Sequence, residues 1–165
     1  MPNLAELNAL PREEYTRVVA PVFEHSPWVA ARSCASRPFA SREQLHAKLC
    51  ETVQNAKRDE QLALIRAHPD LVGQAALTSE SQSEQASAGL GNLTPEEVAL
   101  FERYNEEYKE RFGFPFVICA RLNKKEAILS AFPERLQNSR EKEIETALGE
   151  IYKIAELRLR DLVEG

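Results

Sequence analysis

Apolar residues recur along most of this chain at steps of three and four, the spacing of one face of a helix. Leu45, Leu49 and Val53 follow Ser41-Arg42-Glu43-Gln44, which reads as a capping box, a hydroxyl acceptor for an early N–H and a Gln able to reach back. Thr94-Pro95-Glu96-Glu97 is the clearest helix start, with cap, Pro at the first helical position and reciprocal Glu in their places. Behind it Val98, Phe101, Tyr104 and Tyr108 predict one buried face, and Gly113 predicts the stop. Ser26-Pro27 predicts another start, with Ser26 as the cap and Pro27 as the first helical residue. From about Ser139 onward Ile144, Leu148, Ile151, Ala155 and Leu162 form an apolar stripe. Continued by three from Ala155, the stripe lands on Arg158, while Arg160 falls on the solvent side. An unpaired buried guanidinium is costly, so Arg158 should be paired or should face a ligand.

Strand signals are poor. The one β-like run, Phe114-Pro115-Phe116-Val117-Ile118, is isolated and broken by Pro115, and it reads as an apolar loop leading into the core. No internal repeat, linker or low-complexity tract interrupts the pattern. The least periodic stretch, Asp70 to Ser83, is small and polar, the kind of loop that often carries function. The expected architecture is all-α, a multi-helix bundle forming a single domain over residues 1–165.

Composition agrees with this and narrows the partners. The chain has 165 residues, 43% apolar and 28% charged, with only six glycines, an ordinary globular balance that favours helix. A net charge of −5 argues against nucleic acid and against an anionic membrane surface, though one Arg in a pocket can still bind a small anion. Three cysteines, Cys34, Cys50 and Cys119, form no CxxC pair and read as reduced thiols. No leader-like segment, membrane-length apolar run or peroxisomal tail is written here, so a cytoplasmic location is expected.

Three histidines can be weighed one by one. His25 and His46 have polar helical neighbours and read as structural or surface residues. His68 ends a helical segment (Leu62, Ile65), and Pro69 pushes it toward extended backbone, which restricts its orientation. On these local grounds alone a capping His is the simpler reading. Ser81, Glu84 and Gln85 share one face of a helix that Thr78 or Ser79 would cap, in a segment nearly free of large apolar residues. Either that face is solvated, the simpler reading for a polar run, or it lines a pocket. Metal-ligand spacings are missing, so no metal is expected. A Cys119 nucleophile would need His68 beside it in space. What remains is His68, Ser81, Glu84, Gln85 and Arg158: a base, a carboxylate to orient it, neutral hydrogen bonders and a cation. That set suits acid–base chemistry on a small polar anion without identifying it.

Four ordered blocks carry a resemblance. His68-Pro69-Asp70-Leu71-Val72-Gly73, Ser81-x-x-Glu84-Gln85-x-x-Ala88-Gly89-Leu90, Phe112-Gly113-Phe114-Pro115-Phe116-Val117-Ile118 and Ile154-Ala155-Glu156-Leu157-Arg158-Leu159 resemble the signature blocks of the 2-oxo-4-hydroxy-4-carboxy-5-ureidoimidazoline (OHCU) decarboxylases. The resemblance covers nearly the whole chain. It implies an all-α, cofactor-free enzyme of urate breakdown, commonly a homodimer, converting OHCU to (S)-allantoin with loss of CO2. It implies His68 and Glu84 as catalytic residues and Ser81, Gln85 and Arg158 as substrate-binding ones. Pro69 would pack beside the ligand, and Phe116, Val117, Ile118 and Cys119 would offer backbone groups to it. Two departures stand out: the segment between Gly73 and Ser81 looks short, and Gln74 stands where a Lys or Arg is expected.

The chemistry suits these residues, because the ring C=N of OHCU takes up the electron pair released with CO2 and supplies the sink a cofactor would otherwise provide. Two rivals are a helical interaction module and a hydrolase of a related ureido compound; hydrolases of that kind often use metals. Arg158 discriminates: facing a cavity with His68 it favours the enzyme, whereas pairing with an internal carboxylate favours the module.

Overall fold

A computed structural model describes residues 1–73 and 77–165, so Gln74 lies outside the described residues. Every extended element among them is helical: α1 (Leu4–Ala9), α2 (Arg12–Val19), α3 (Trp28–Ser33), α4 (Arg42–Gln54), α5 (Arg58–Arg66), α6 (Ser79–Ser87), α7 (Pro95–Phe112), α8 (Lys125–Leu136) and α9 (Arg140–Leu162). Short 3₁₀ turns occupy Ala20–Val22, Cys34–Ser36 and Ala120–Leu122. The all-α expectation is met, and no described helix is long and apolar enough to cross a membrane. The chain gathers into two compact units, one of residues 1–67 with 152–165 and the other of residues 68–151.

The predicted helix ends are largely those observed. Thr94 accepts from the Glu97 N–H at 3.1 Å while Glu97 accepts from the Thr94 N–H at 3.0 Å, closing the box ahead of α7. Gly113 ends that helix in the left-handed conformation, φ 81°, which costs a residue without Cβ little. Ser41 caps α4, but the Gln44 side chain accepts from Ala40 rather than from Ser41, so only half of the box forms. The Ser26 cap is corrected. Helix α3 begins at Trp28 with Pro27 at the cap position, and the Ser26 hydroxyl donates to the Glu24 carbonyl at 2.9 Å. With that hydroxyl turned back onto its own loop, α3 has no side-chain cap.

In the first unit Leu45, Leu49 and Val53 of α4 are buried as the stripe predicts, as is Ala155 of α9, and Ile154 beside it is buried too. Arg37 donates to the carbonyls of Leu7, Asn8 and Leu10, and Arg42 to that of Val163, so guanidinium groups satisfy the ends of α1 and α9.

The second unit has an aromatic centre. Phe101, Tyr108 and Phe112 of α7, Phe132 of α8, and Phe114 and Phe116 of the intervening chain are all buried. Phe116 stacks on Phe132 at 3.8 Å between centroids and meets Tyr108 edge-on at 5.3 Å. Each such ring contributes about 1.5–3 kcal/mol by burial. The run from Phe114 to Ala120 is therefore an apolar loop threaded into the core, as its sequence suggests.

Candidate active site

Helix α6 decides the character of the site. Thr78 caps it, accepting from the Ser81 N–H at 3.1 Å, and Ser81, Glu84 and Gln85 on one face are 5%, 9% and 9% exposed. The simpler sequence reading, a solvated face, is overturned. Helix α6 packs against the chain around Ala120–Leu122, and no local pattern foretells such a partner. A polar face buried on a helix without an apolar stripe must have its groups hydrogen-bonded or paired, and such a face is a candidate for binding or chemistry.

His68 sits two residues beyond α5 and is buried, 8% exposed. The loop that follows it is pinned in several places. Gln85 accepts from the Val72 N–H at 3.2 Å and donates to the Asp70 carbonyl at 3.4 Å. Asn105 donates to the Leu71 carbonyl at 2.8 Å, and Lys109 pairs with Asp70 at 2.6 Å. Val72 holds a positive φ of 60°, strained for a β-branched residue, so these bonds restrain a conformation the chain would otherwise leave. Gln85 thus touches the loop bearing His68 and Pro69 with both ends of its amide. Sequence reasoning missed Asn105 and Lys109, which lie on α7 and show no spacing relation to His68.

The Phe116–Cys119 segment is equally constrained. Arg135 donates to the Val117 carbonyl at 2.6 Å, Glu150 accepts from the Cys119 N–H at 3.0 Å, and Asn123 donates to the Cys119 carbonyl at 3.0 Å. Among the described residues nothing accepts from the N–H of Val117 or of Ile118, both of which are buried. Buried N–H groups without an acceptor are rare and ask for a partner. Cys119 itself has its N–H engaged, so any contact it makes with a ligand is through other atoms.

Burial, helped by the negative charges of Glu150 and Glu84, raises the Cys119 thiol above its ordinary value. Burial, and behind it Glu156, pushes Cys50 up to about 12. Neither thiol ionises near neutrality, which disfavours a Cys nucleophile. A disulfide-exchange reagent at pH 8 is accordingly expected to leave Cys50 and Cys119 unmodified in the native protein and to titrate them once denaturant is added. Rapid native labelling of Cys119, read by mass spectrometry, would contradict this burial.

The remaining histidines lie in the first unit and look structural. His46 uses Nε2 on the Tyr152 carbonyl at 2.8 Å, and the exposed His25 lies 3.9 Å from Glu24. Arg158 also belongs to that unit. It is 3% exposed and donates to the Pro21 carbonyl at 3.0 Å and to Glu24 at 3.1 Å. Arg160, by contrast, is exposed and pairs with Glu156 one turn back, as the stripe predicts. Pairing of Arg158 with an internal carboxylate is the outcome assigned above to an interaction module. A guanidinium has five donors, so one carboxylate does not exhaust them and the pairing does not separate a module from an enzyme.

The family model described as OHCU decarboxylase matches residues 8–160. A relative from Haloferax volcanii, named 2-oxo-4-hydroxy-4-carboxy-5-ureidoimidazoline decarboxylase, is 42% identical over 158 residues, 96% of this chain and 94% of that one. Among solved structures, an (S)-allantoin synthase superposes with a TM-score of 0.81 at 29% identity over 99% of this chain, which spans 54% of that longer one. An OHCU decarboxylase crystallised in the presence of (S)-allantoin superposes with a TM-score of 0.71 at 27% identity, over 84% of this chain and 92% of that one.

Proposed function

The chain belongs to the OHCU decarboxylase family, and we infer from this that it decarboxylates 2-oxo-4-hydroxy-4-carboxy-5-ureidoimidazoline to (S)-allantoin in urate degradation. Its acid–base work falls to His68, oriented by Glu84. The observation that carries this assignment of roles is the burial of the polar face of α6, Ser81, Glu84 and Gln85. An interaction module would gain nothing from that arrangement.

In the reaction the bond from C4 to the carboxylate breaks, CO2 leaves, and its electron pair forms a C4–C5 double bond. The electrons of the ring C=N move onto nitrogen, which is protonated. His68 then takes the C4 hydroxyl proton as the carbonyl forms, and one proton is delivered to C5 on a single face, setting the S configuration. His68 is the first candidate for that donor, with water second. Orientation and proton placement are what the protein adds, since the substrate carries its own electron sink.

Ser81, the N–H groups of Val117 and Ile118, and Arg158 hold the ring oxygens and the ureido arm. Gln85 contributes both by contact with substrate and by fixing the loop after His68. Pro69 packs beside the ligand, and the backbone of Phe116–Cys119 offers groups to it. The chain acts on this small molecule without nucleic acid, membrane, metal or organic cofactor, as one decarboxylase domain, in the cytoplasm and as a homodimer.

Circular dichroism of OHCU freshly generated from urate tests the reaction. Added enzyme is expected to produce rapid growth of the (S)-allantoin signal. Slow decay to racemic allantoin, unchanged by a folded sample, would overturn the assignment.

A further inference from the structure

Arg135 is buried in the second unit and has no place in the chemistry above. Its Nε donates to Glu143 at 2.7 Å, and Glu143, wholly buried, also accepts from the Tyr108 hydroxyl at 2.5 Å and from Asn138 at 2.8 Å. The guanidinium lies over the Phe116 ring at 4.2 Å, and one terminal nitrogen donates to the Val117 carbonyl at 2.6 Å. Burial raises the Tyr108 phenol, against the pull of Arg135, so Tyr108 stays a donor to Glu143 at any working pH. Such a network is a poor source of net stability, because an apolar cluster of the same volume would serve as well. Its value must lie in what it holds.

What it holds is one peptide unit. The Val117 carbonyl and the Ile118 N–H are two ends of the same planar amide. A charged donor on the carbonyl oxygen draws electron density from the amide nitrogen and makes the Ile118 N–H a stronger donor, as linked hydrogen bonds polarise one another. The next residue is fixed independently, by Glu150 on the Cys119 N–H and Asn123 on the Cys119 carbonyl. Between these two anchors stands the N–H of Ile118, a buried residue, without an acceptor among the described residues.

We propose that Arg135, locked by Glu143, is a positioning residue that aims and polarises the Val117–Ile118 peptide so that the Ile118 N–H binds a substrate oxygen. This rests on the reading that the Phe116–Cys119 backbone contacts substrate. Lys could carry the charge but not hold Glu143 and the carbonyl at once with a planar fork, so Arg135→Lys should recover only part of the effect.

The test joins steady-state kinetics to amide NMR on the full-length enzyme. Arg135→Gln is expected to raise KM about tenfold, the order of one hydrogen bond's net worth, with kcat within about threefold of wild type. Arg135→Lys, which keeps a charge opposite Glu143 and so protects the fold, should fall between. Both should shift the Ile118 amide resonance in the free enzyme. Arg37→Gln removes a guanidinium that also holds backbone carbonyls, but in the first unit, and it should leave KM unchanged. Addition of (S)-allantoin to wild type should move the Ile118 amide. No movement there would overturn the backbone-contact reading itself. Movement together with wild-type KM in both Arg135 variants would overturn the role of Arg135 and leave that reading standing.

Discussion

His68→Asn lowers kcat by about 10²–10⁴-fold, the usual worth of general acid–base help, with KM little changed and the helical circular dichroism of wild type. Asn keeps a polar side chain of similar length and can donate one hydrogen bond, but it cannot take up and return a proton. The residue lies in a loop beyond α5, outside any helix. Because OHCU decays without a catalyst, the residual reaction should also lose stereochemical control, giving racemic rather than (S)-allantoin. Turnover at the normal rate by a folded His68→Asn enzyme would remove His68 from the mechanism and leave water as the proton carrier. A variant with normal kcat and raised KM would instead make His68 a binding group.

Glu24→Ala is expected to cost about 3–5 kcal/mol of stability, the price of leaving a buried guanidinium without its carboxylate. Glu24 is 2% exposed and Arg158 3%, so water cannot readily replace the lost partner. For a chain of this length the loss corresponds to a fall in melting temperature of roughly 6–20 °C. Because the same guanidinium is assigned to substrate, the surviving folded fraction should also show a raised KM. Glu24→Gln keeps the volume and one acceptor and should destabilise less. A melting temperature unchanged in Glu24→Ala would mean that Arg158 needs no internal carboxylate, and its pairing would then carry no information about the pocket.

The difference between these two predictions tracks how each site residue becomes visible. His68, Ser81, Glu84 and Gln85 stand within short, ordered sequence blocks, so their types and spacing are readable along the chain. Arg158 is readable as a break in an apolar stripe. Its partner is not: Glu24 lies 134 positions away, and nothing near Pro21 or Glu24 in sequence announces a contact with the last helix. Arg135 reads as an ordinary basic residue in the last turn of α8, no different from Arg111 at the end of α7. Only its packing against Glu143 and Phe116 sets it apart. Asn105 is similar, a polar position one step beyond the apolar residue Tyr104, buried because the loop after His68 folds over it.

By itself the sequence determined where helices form and stop, since caps, Pro and Gly act on N–H groups and backbone angles within a few residues. It also determined which apolar faces turn inward, because a helix repeats its face every three or four positions. Tertiary structure alone decided that the polar face of α6 is buried, that Val72 is held with positive φ, and which carboxylate meets each buried guanidinium. The physical reason is range. Helix signals are local and repeat along the chain, whereas the burial of a polar group is set by whatever distant segment packs over it.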